Sequence, residues 1–582
     1  MPLPGVSINV LDGNLGLQPA STSQTMLWLG CCTDLTPNTL SYYGDSATLA
    51  SALGAGELLE AASYGLKVAG GVLGVMPLNP STRGGVSSVT KVGTGAETLA
   101  VTIAPHKAIT ITCTTAGALG TAAFTFQLGS AAASQPVTSA ASWSTTGYLI
   151  PGTYCTVVFT AGSYIAGGTP DTYTISTAGV IAHPTGAGPA SPTFTASPID
   201  YYAVKVSIIL GGALGTMQFT YSLDGSAANT SAAIVSAAGG VYAIPGTGLV
   251  LTFSGSSTAG DYFTFSSAGP TYTSTDLTNA MTALQTTYLA SAQYSMATVV
   301  GSVASASAFA TQAGSLETAS TTLFNNGVYV RFFLGCPTVG TVLPNAGSVT
   351  VDSADTDAVV IAARQGMSTP HVVPCAGDFA LTSPVSGLSL RRNAVLAAAA
   401  RASDVEASQN LGWVQAGGIL SATSLYRDEN ATPGFDAAGL TCLRTFSGAG
   451  ANGIYLADAH TGAASTSDYY PVTNARVIDR ACGIARLNAL PLVNSKVPTT
   501  TRNGLPGVIT EKKAQQIEQR INAALRGALV DGSPQDAVAT SVVVNRTNNV
   551  LSTGQLIIAV AVQPFGYART VTVNIGMTIS AS

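Results

Sequence analysis

GALGTAAFTFQLG at residues 117–129 returns as GALGTMQFTYSLDG at 212–225, and YLIPGTYCTVVF at 148–159 returns as YAIPGTGLVLTF at 242–253. Both pairs are offset by about 95 residues, the length of a small β-sandwich. From Gly85 to Gly269 the chain is rich in Thr, Ser, Gly and β-branched or aromatic residues and carries eight charges. Two inserted all-β, sandwich-like domains are expected, over 85–184 and 185–275, linked by the Pro-rich stretch His183 to Pro198. A solenoid is the alternative, but it requires about three repeats.

The flanking sequence has other periods. Met26 to Leu29 reads as a buried strand, and after Asp45 the residues Leu49, Leu53, Leu58 and Leu59 follow helical spacing. Helical spacing returns at Leu277, Met281, Leu284, Tyr288 and Leu289, and later at Leu316 and Leu323, followed by a strand from Val328 to Leu334. This predicts one discontinuous α/β core domain, 20–84 plus 276–470. A C-terminal α+β domain over 471–569 begins with a helix marked by Val477, Ile484 and Leu487. A second helix, Glu511 to Leu529, has Thr510 as its cap and a stripe of Ala514, Ile517, Ile521, Leu525 and Ala528. Three strands follow, Ala537 to Asn545, Gln555 to Gln563 and Val571 to Ile579. The fold class is α+β multidomain, with arms at 1–19 and 570–582.

Length and composition agree with this division. The 582 residues suit three or four folding units. Only 9% are charged, against about 25% in ordinary soluble proteins, and 46% are apolar, which excludes a disordered chain and a basic nucleic-acid binder. The mean hydropathy of +0.36 comes mostly from Ala. The longest apolar stretch, Val68 to Leu78, is too short for a bilayer, which needs about 20 residues. The opening MPLPGVSINVLDGN has neither a cationic nor a hydrophobic leader region, so no secretory signal is expected and folding is expected in the cytosol. A surface this poor in charge suits large, repeated protein contacts.

No catalytic, cofactor-binding or metal constellation is read. His106, His183, His371 and His460 are scattered, no Gly precedes a Lys as in a phosphate loop, and no GxSxG occurs. The match Gly448-Ala-Gly450-Ala-Asn-Gly453 is followed by a strand-like Ile454-Tyr-Leu456, which is wrong for a dinucleotide fingerprint. Asp352, Asp355 and Asp357 read as a helix N-terminal charge group rather than a calcium loop. None of the eight cysteines forms CxxC. Cys113 and Cys155 are replaced by Ile208 and Leu249 in the second repeat, which marks them as core positions. Cys31, Cys32, Cys336, Cys375, Cys442 and Cys482 are either small core hydrophobes or thiols that cross-link neighbouring chains outside the cell.

Val6, Ile8 and Val10 at one end, and Val571, Val573 and Ile575 at the other, alternate like strands that lack a partner in their own domain. Such edges recruit other chains. Val542, Val544, Ile558, Val560 and Val562 would be the acceptor sheet.

The order of GVSINVLDGN at the N-terminus, SALGAGELLEAASYGLKVAGG from Ser51, VYVRFFLGCP from Val328, and GIYLADAHTG to RVIDRACGIARLNAL from Gly453 to Leu490 resembles the contractile tail sheath proteins of bacteriophages and related contractile injection systems. The likeness covers roughly 1–84 and 276–582. It implies a many-copy helical homo-oligomer around a tail tube protein, bounded by baseplate and tail terminator proteins and joined by strand-donating arms. It implies assembly in the host cytoplasm, a place in the virion tail or an extracellular particle, and contraction that drives the tube through the host envelope without nucleotide or cofactor. The two β-domains depart from that pattern. Lys496, Arg502, Lys512 and Lys513 either face the tube or form a solvated helix face. The reading from another class is a secreted or surface β-domain adhesin, against which stand the missing leader and the α/β halves. A hydrolase lacks a catalytic constellation.

Overall fold

The computed structural model describes residues 25–34, 36–303, 305–337, 356–446, 453–502, 504–569 and 571–573. Val6, Ile8, Val10, Ile575, Asp352 and Asp355 lie outside them.

The core is a six-stranded sheet in the order Ser41–Tyr43, Leu73–Pro77, Met26–Gly30, Met296–Ser302, Arg331–Gly335, Val372–Cys375. Every pairing is parallel except that of Ser41–Tyr43. Parallel strands are covered on both faces, which is why MLWLG and RFFLG are buried throughout. Side chains alternate between two hydrophobic clusters. Trp28 packs against helices Ser46–Leu53, Glu57–Ala69 and Ala394–Asp404, whereas Leu27 and Leu29 pack against Ser274–Thr286, Ala306–Asn325 and Asp357–Gln365. Met26–Gly30 lies between Leu73–Pro77 and Met296–Ser302, so segments on either side of the β insertion share one sheet.

Local signals explain the boundaries. The expected single helix after Asp45 is two, because Gly54 and Gly56 take φ of 72° and 117°, and a side chain at Gly56 would meet the Tyr154 hydroxyl. Leu316 and Leu323 belong not to the helix of Leu277 but to Ala306–Asn325, beyond the strand Met296–Ser302. Thr273 and Asp276 close a capping box on Ser274–Thr286.

The inserted residues form two antiparallel modules, each around its own hydrophobic cluster, and strands on either side of 184/185 pair across the two repeats. Thr98–Ile103 pairs with Leu249–Ser254, and Thr90–Val92 with Tyr262–Ala268, so residues from the start of the first repeat complete the second module. Reciprocally, Ile181–Thr185 pairs with Thr172–Ile175, and Thr193–Ala196 with Cys155–Val158, completing the first. The leading strands of each repeat are thus exchanged, and the expected linker His183 to Pro198 contains two of them. Short connections carry the chain from Ile103 to Ile109 and from Ala196 to Tyr202, straight out of one module into the next. Cys113 and Cys155 are as buried as Ile208 and Leu249, at 2% exposure or less.

The C-terminal domain packs helices Val472–Ala489 and Glu511–Leu525 around a hairpin, Ala539–Val544 with Ile558–Gln563. Ala514, Ile517, Ile521 and Leu525 are buried as expected, but the α-helix ends at Leu525. A π turn, Arg526–Val530, shifts the stripe by one residue and buries Leu529 in place of Ala528. Thr510 occupies the cap position without a side-chain capping bond. The third expected strand is corrected in its described part: residues 571–573 form no strand, and Val571 and Val573 are 75% and 71% exposed. A strand needs a partner, and among the described residues none is offered there.

Candidate assembly surface

The C-terminal sheet has two strands and an apolar face that is only half covered. In its antiparallel register Thr540, Val542 and Val544 stand opposite Val562, Val560 and Ile558, so these six side chains share a face. Helix Glu511–Leu525 covers one half of that face, burying Val542 and Val544 at 8% and 1% exposure. The other half lies beyond the helix. Val560 is 38% exposed and Ile558 and Val562 are half-buried. Among the described residues no third strand pairs with either edge. The two edges differ: the Val544 backbone N–H is taken by Glu518 Oε1 at 2.7 Å, while Ile558–Gln563, sequence IAVAVQ, has neither charge nor Pro along it.

Charges fix the other end of the hairpin. Arg546 bridges Glu518 at 2.6 Å and Glu511 at 2.9 Å, and Arg502 reaches Glu511 at 2.7 Å. The guanidinium of Arg546, with that of Arg502, holds the Glu511 carboxyl at about 2. Arg502 is thus paired within its own domain while its side chain stays 47% exposed. Lys496 and Lys512 are exposed and Lys513 is half-buried.

The tail beyond the hairpin turns back to the core. Tyr567 donates its hydroxyl to the Ser408 carbonyl, and Arg569 contacts Asp458 and His460. Asp436 joins Asp458 and His460 from an earlier part of the sequence, and the reading of scattered histidines missed their convergence. The nearest signal was Asp458 two residues before His460.

In a doubly wound sheet, ligands bind at the carboxyl ends of the strands where the order reverses. Here that place, between Met26–Gly30 and Met296–Ser302, is filled. Arg392 donates to Glu60 at 2.5 Å and to Asp200 at 2.8 Å, all three buried. The cavity left between Trp28, Glu57, Thr298, Gly301 and Arg392 has room for about one water molecule. Burial pushes the Asp200 carboxyl up to about 7 against the pull of Arg392. Asp200 lies between the last strand of the first module and the first of the second, so this network ties the modules to the core.

Of the two readings of the thiols, burial favours small core hydrophobes. Cys31, Cys32, Cys336, Cys375 and Cys442 are free and buried at 6% exposure or less, which puts them out of reach of another chain; Cys482 is partly buried. Burial pushes the Cys32 thiol up to about 12.

A family model described as DUF2586, N-terminal domain, matches residues 3–460. The chain belongs to this family. No protein of curated function matches it. Among solved structures, this DUF2586 chain is similar to a sheath tail protein from Desulfitobacterium hafniense, at 11% identity over 96% of this chain and 100% of that one, with a TM-score of 0.39. It is also similar to a sheath tail protein from Listeria innocua, at 12% identity over 93% and 95% of the chains and a TM-score of 0.39. A chain of the anti-feeding prophage baseplate is 12% identical over 54% of this chain and 76% of that one, with a TM-score of 0.35. No helix among the described residues is long and apolar enough to cross a membrane.

Proposed function

We propose that the chain is the structural, non-enzymatic subunit of a contractile tail sheath, polymerising around a tail tube and contracting to drive it through a cell envelope. The observation that carries this reading is the half-covered hairpin. Its strand Ile558–Gln563 leaves an edge and an apolar row of Ile558, Val560 and Val562 open on the face that helix Glu511–Leu525 covers elsewhere. Strands with an exposed apolar face and a free edge are unstable in isolation and are completed by another chain.

The occupants are the alternating segments at the two ends, Val6, Ile8 and Val10 with Val571, Val573 and Ile575, supplied by neighbouring subunits. Each subunit then both gives and receives strands, which links a head-to-tail array of many copies. Contraction would be a change between two packings of the subunits with the strand links kept, so the energy is a contact difference summed over the array. Tube, baseplate and tail terminator proteins would be its partners, with Lys496, Arg502, Lys512 and Lys513 as candidates for the tube side. Assembly would take place in the cytoplasm and the product would sit in a tail or an extracellular particle.

A synthetic peptide of residues 570–582, added in excess to dissociated subunits, is expected to occupy the open edge and suppress polymerisation measured by light scattering. Unchanged polymerisation at saturating peptide would contradict strand donation. None of the similar structures supports the surface-adhesin reading.

A further inference from the structure

We propose that Asp436, Asp458 and His460 form a guanidinium socket, filled by the chain's own Arg569, that straps the tail across the seam between the α/β core and the C-terminal domain and fixes where the C-terminal arm begins. The inference rests on the reading of residues 570–582 as a donated strand.

The socket residues are held by contacts that do not involve the arginine. His460 is 1% exposed and its ring stacks on Tyr470, with centroids 4.4 Å apart and planes at 19°. Its Nε2 lies 3.5 Å from Asp436 Oδ1 and 3.8 Å from Asp458 Oδ2, placing both carboxylates and the ring nitrogen around one point. Asp458 is itself held by the Asn410 side-chain amide at 2.9 Å. Arg569 Nη2 reaches the Asp458 carboxylate and lies 3.0 Å from His460 Nε2. One nitrogen, Nη2, makes both contacts, and the Asp436 carboxylate adds negative charge beside it while the arginine stem stays 56% exposed. The bond to Nε2 requires that nitrogen to be the acceptor.

A second attachment makes this a strap. Two residues before Arg569, Tyr567 donates to the carbonyl of Ser408, just beyond the core helix Ala394–Asp404. Ser408 in turn donates its backbone N–H at 3.1 Å to Asp536, which lies ahead of the hairpin strand Ala539–Val544 and also binds Arg480. The tail therefore leaves the hairpin at Gln563, crosses the point where core and C-terminal domain meet, and is tied down on the core at Arg569. The arm starts from that anchor rather than from the loose end of the hairpin.

The bond after Arg569 is a trypsin site, so the socket can be read directly. Limited digestion of the full chain as dissociated subunits, with mass spectrometry of the released peptide 570–582, measures how often the arginine is free. Cleavage after Arg526, which is exposed, serves as reference. In the variant Asp436→Asn with Asp458→Asn, release of 570–582 is expected to accelerate about tenfold while the reference stays constant. Equal release from the variant and the natural chain would overturn the strap. Should the double variant fail to fold, Arg569→Gln leaves the socket intact, and chymotryptic cleavage after Tyr567, whose hydroxyl is held by Ser408, must then rise about tenfold; unchanged cleavage overturns the strap as well. The two readings fail separately: a chain lacking 571–582 that still polymerises contradicts strand donation, whatever the digestion shows.

Discussion

The larger sheets of the β-modules and the C-terminal hairpin are both small antiparallel systems, yet they treat their edges in opposite ways. In the modules, the leading strands of each repeat are consumed by the other repeat. The larger sheets end in the two-residue strands Val137–Thr138 and Ile234–Val235, and on the far side in a ladder that slips between Thr172 and Thr174 or in the interrupted pair Gly85–Val86 and Thr90–Val92. Short, slipped or interrupted edges do not template another strand. The hairpin ends in six uninterrupted residues, Ile558–Gln563, with apolar side chains half-covered. One of the smaller module sheets does end in a longer strand, Thr98–Ile103, so what sets the hairpin apart is an edge beside a half-covered apolar row, and under the proposed function that edge serves assembly.

That contrast breaks first at the edge itself. Val560→Pro, which removes one backbone donor and fixes φ on an edge strand, is expected to abolish polymerisation while shifting the unfolding midpoint little. Val137→Pro, at a module edge, should leave polymerisation intact. Sedimentation of both variants checks the pair, and polymerisation of Val560→Pro would count against the open edge.

Next in size is the network that mounts the modules. Arg392→Ala leaves Glu60 and Asp200 buried without their cation and is expected to cost about 3–5 kcal/mol in denaturant unfolding. The same network sets a pH dependence. The Asp200 carboxyl is raised from its ordinary value to about 7, so the folded chain holds a proton there that the unfolded chain releases near pH 4. Stability should fall as pH rises from about 4 to about 7, by at most about 1.4 kcal/mol per unit, and level off above. Asp200→Asn should flatten that slope; a slope kept in the variant would place its origin elsewhere.

The smallest effect belongs to a matched pair of staples. Asp171 accepts the backbone N–H groups of Ile165 and Gly188 at 2.8 Å each, and Asp261 those of Thr94 and Gly95 at 3.1 Å and 2.7 Å. Each carboxylate thereby holds a loop of the exchanged strands. Asp171→Ala and Asp261→Ala should each cost about 1–3 kcal/mol, by equal amounts within the scatter of such measurements. A large loss at only one of them would mean that the modules are not equivalent.

These staples also show where sequence reading stopped. DTYTIS at Asp171 to Ser176 with DYFTFS at Asp261 to Ser266 is a third matching pair of segments, and Gly93-Thr94-Gly95 with Gly186-Ala187-Gly188 a fourth, both visible in the sequence but shorter than the pairs that announced the modules. The exchange of leading strands was not legible, because two similar repeats satisfy the same alternation whether a strand pairs at home or next door. The buried status of Cys113 and Cys155 could be read because the second repeat supplies Ile208 and Leu249 as a control; Cys31 and Cys442 had no such control. Arg392 and Glu60 lie 332 residues apart, and each alone looks like an ordinary surface charge. The helix stripe of Ala514 to Leu525 was legible because its signal is local, and it failed only where the π turn changed the period.

The central claim is that copies of this chain are joined through the open edge of the C-terminal hairpin. Negative-stain electron microscopy of the purified chain, beside a version lacking Val571 to Ser582, tests it most directly. The account predicts tubes from the intact chain and none from the shortened one; monodisperse single particles from both, or tubes from both, would contradict it.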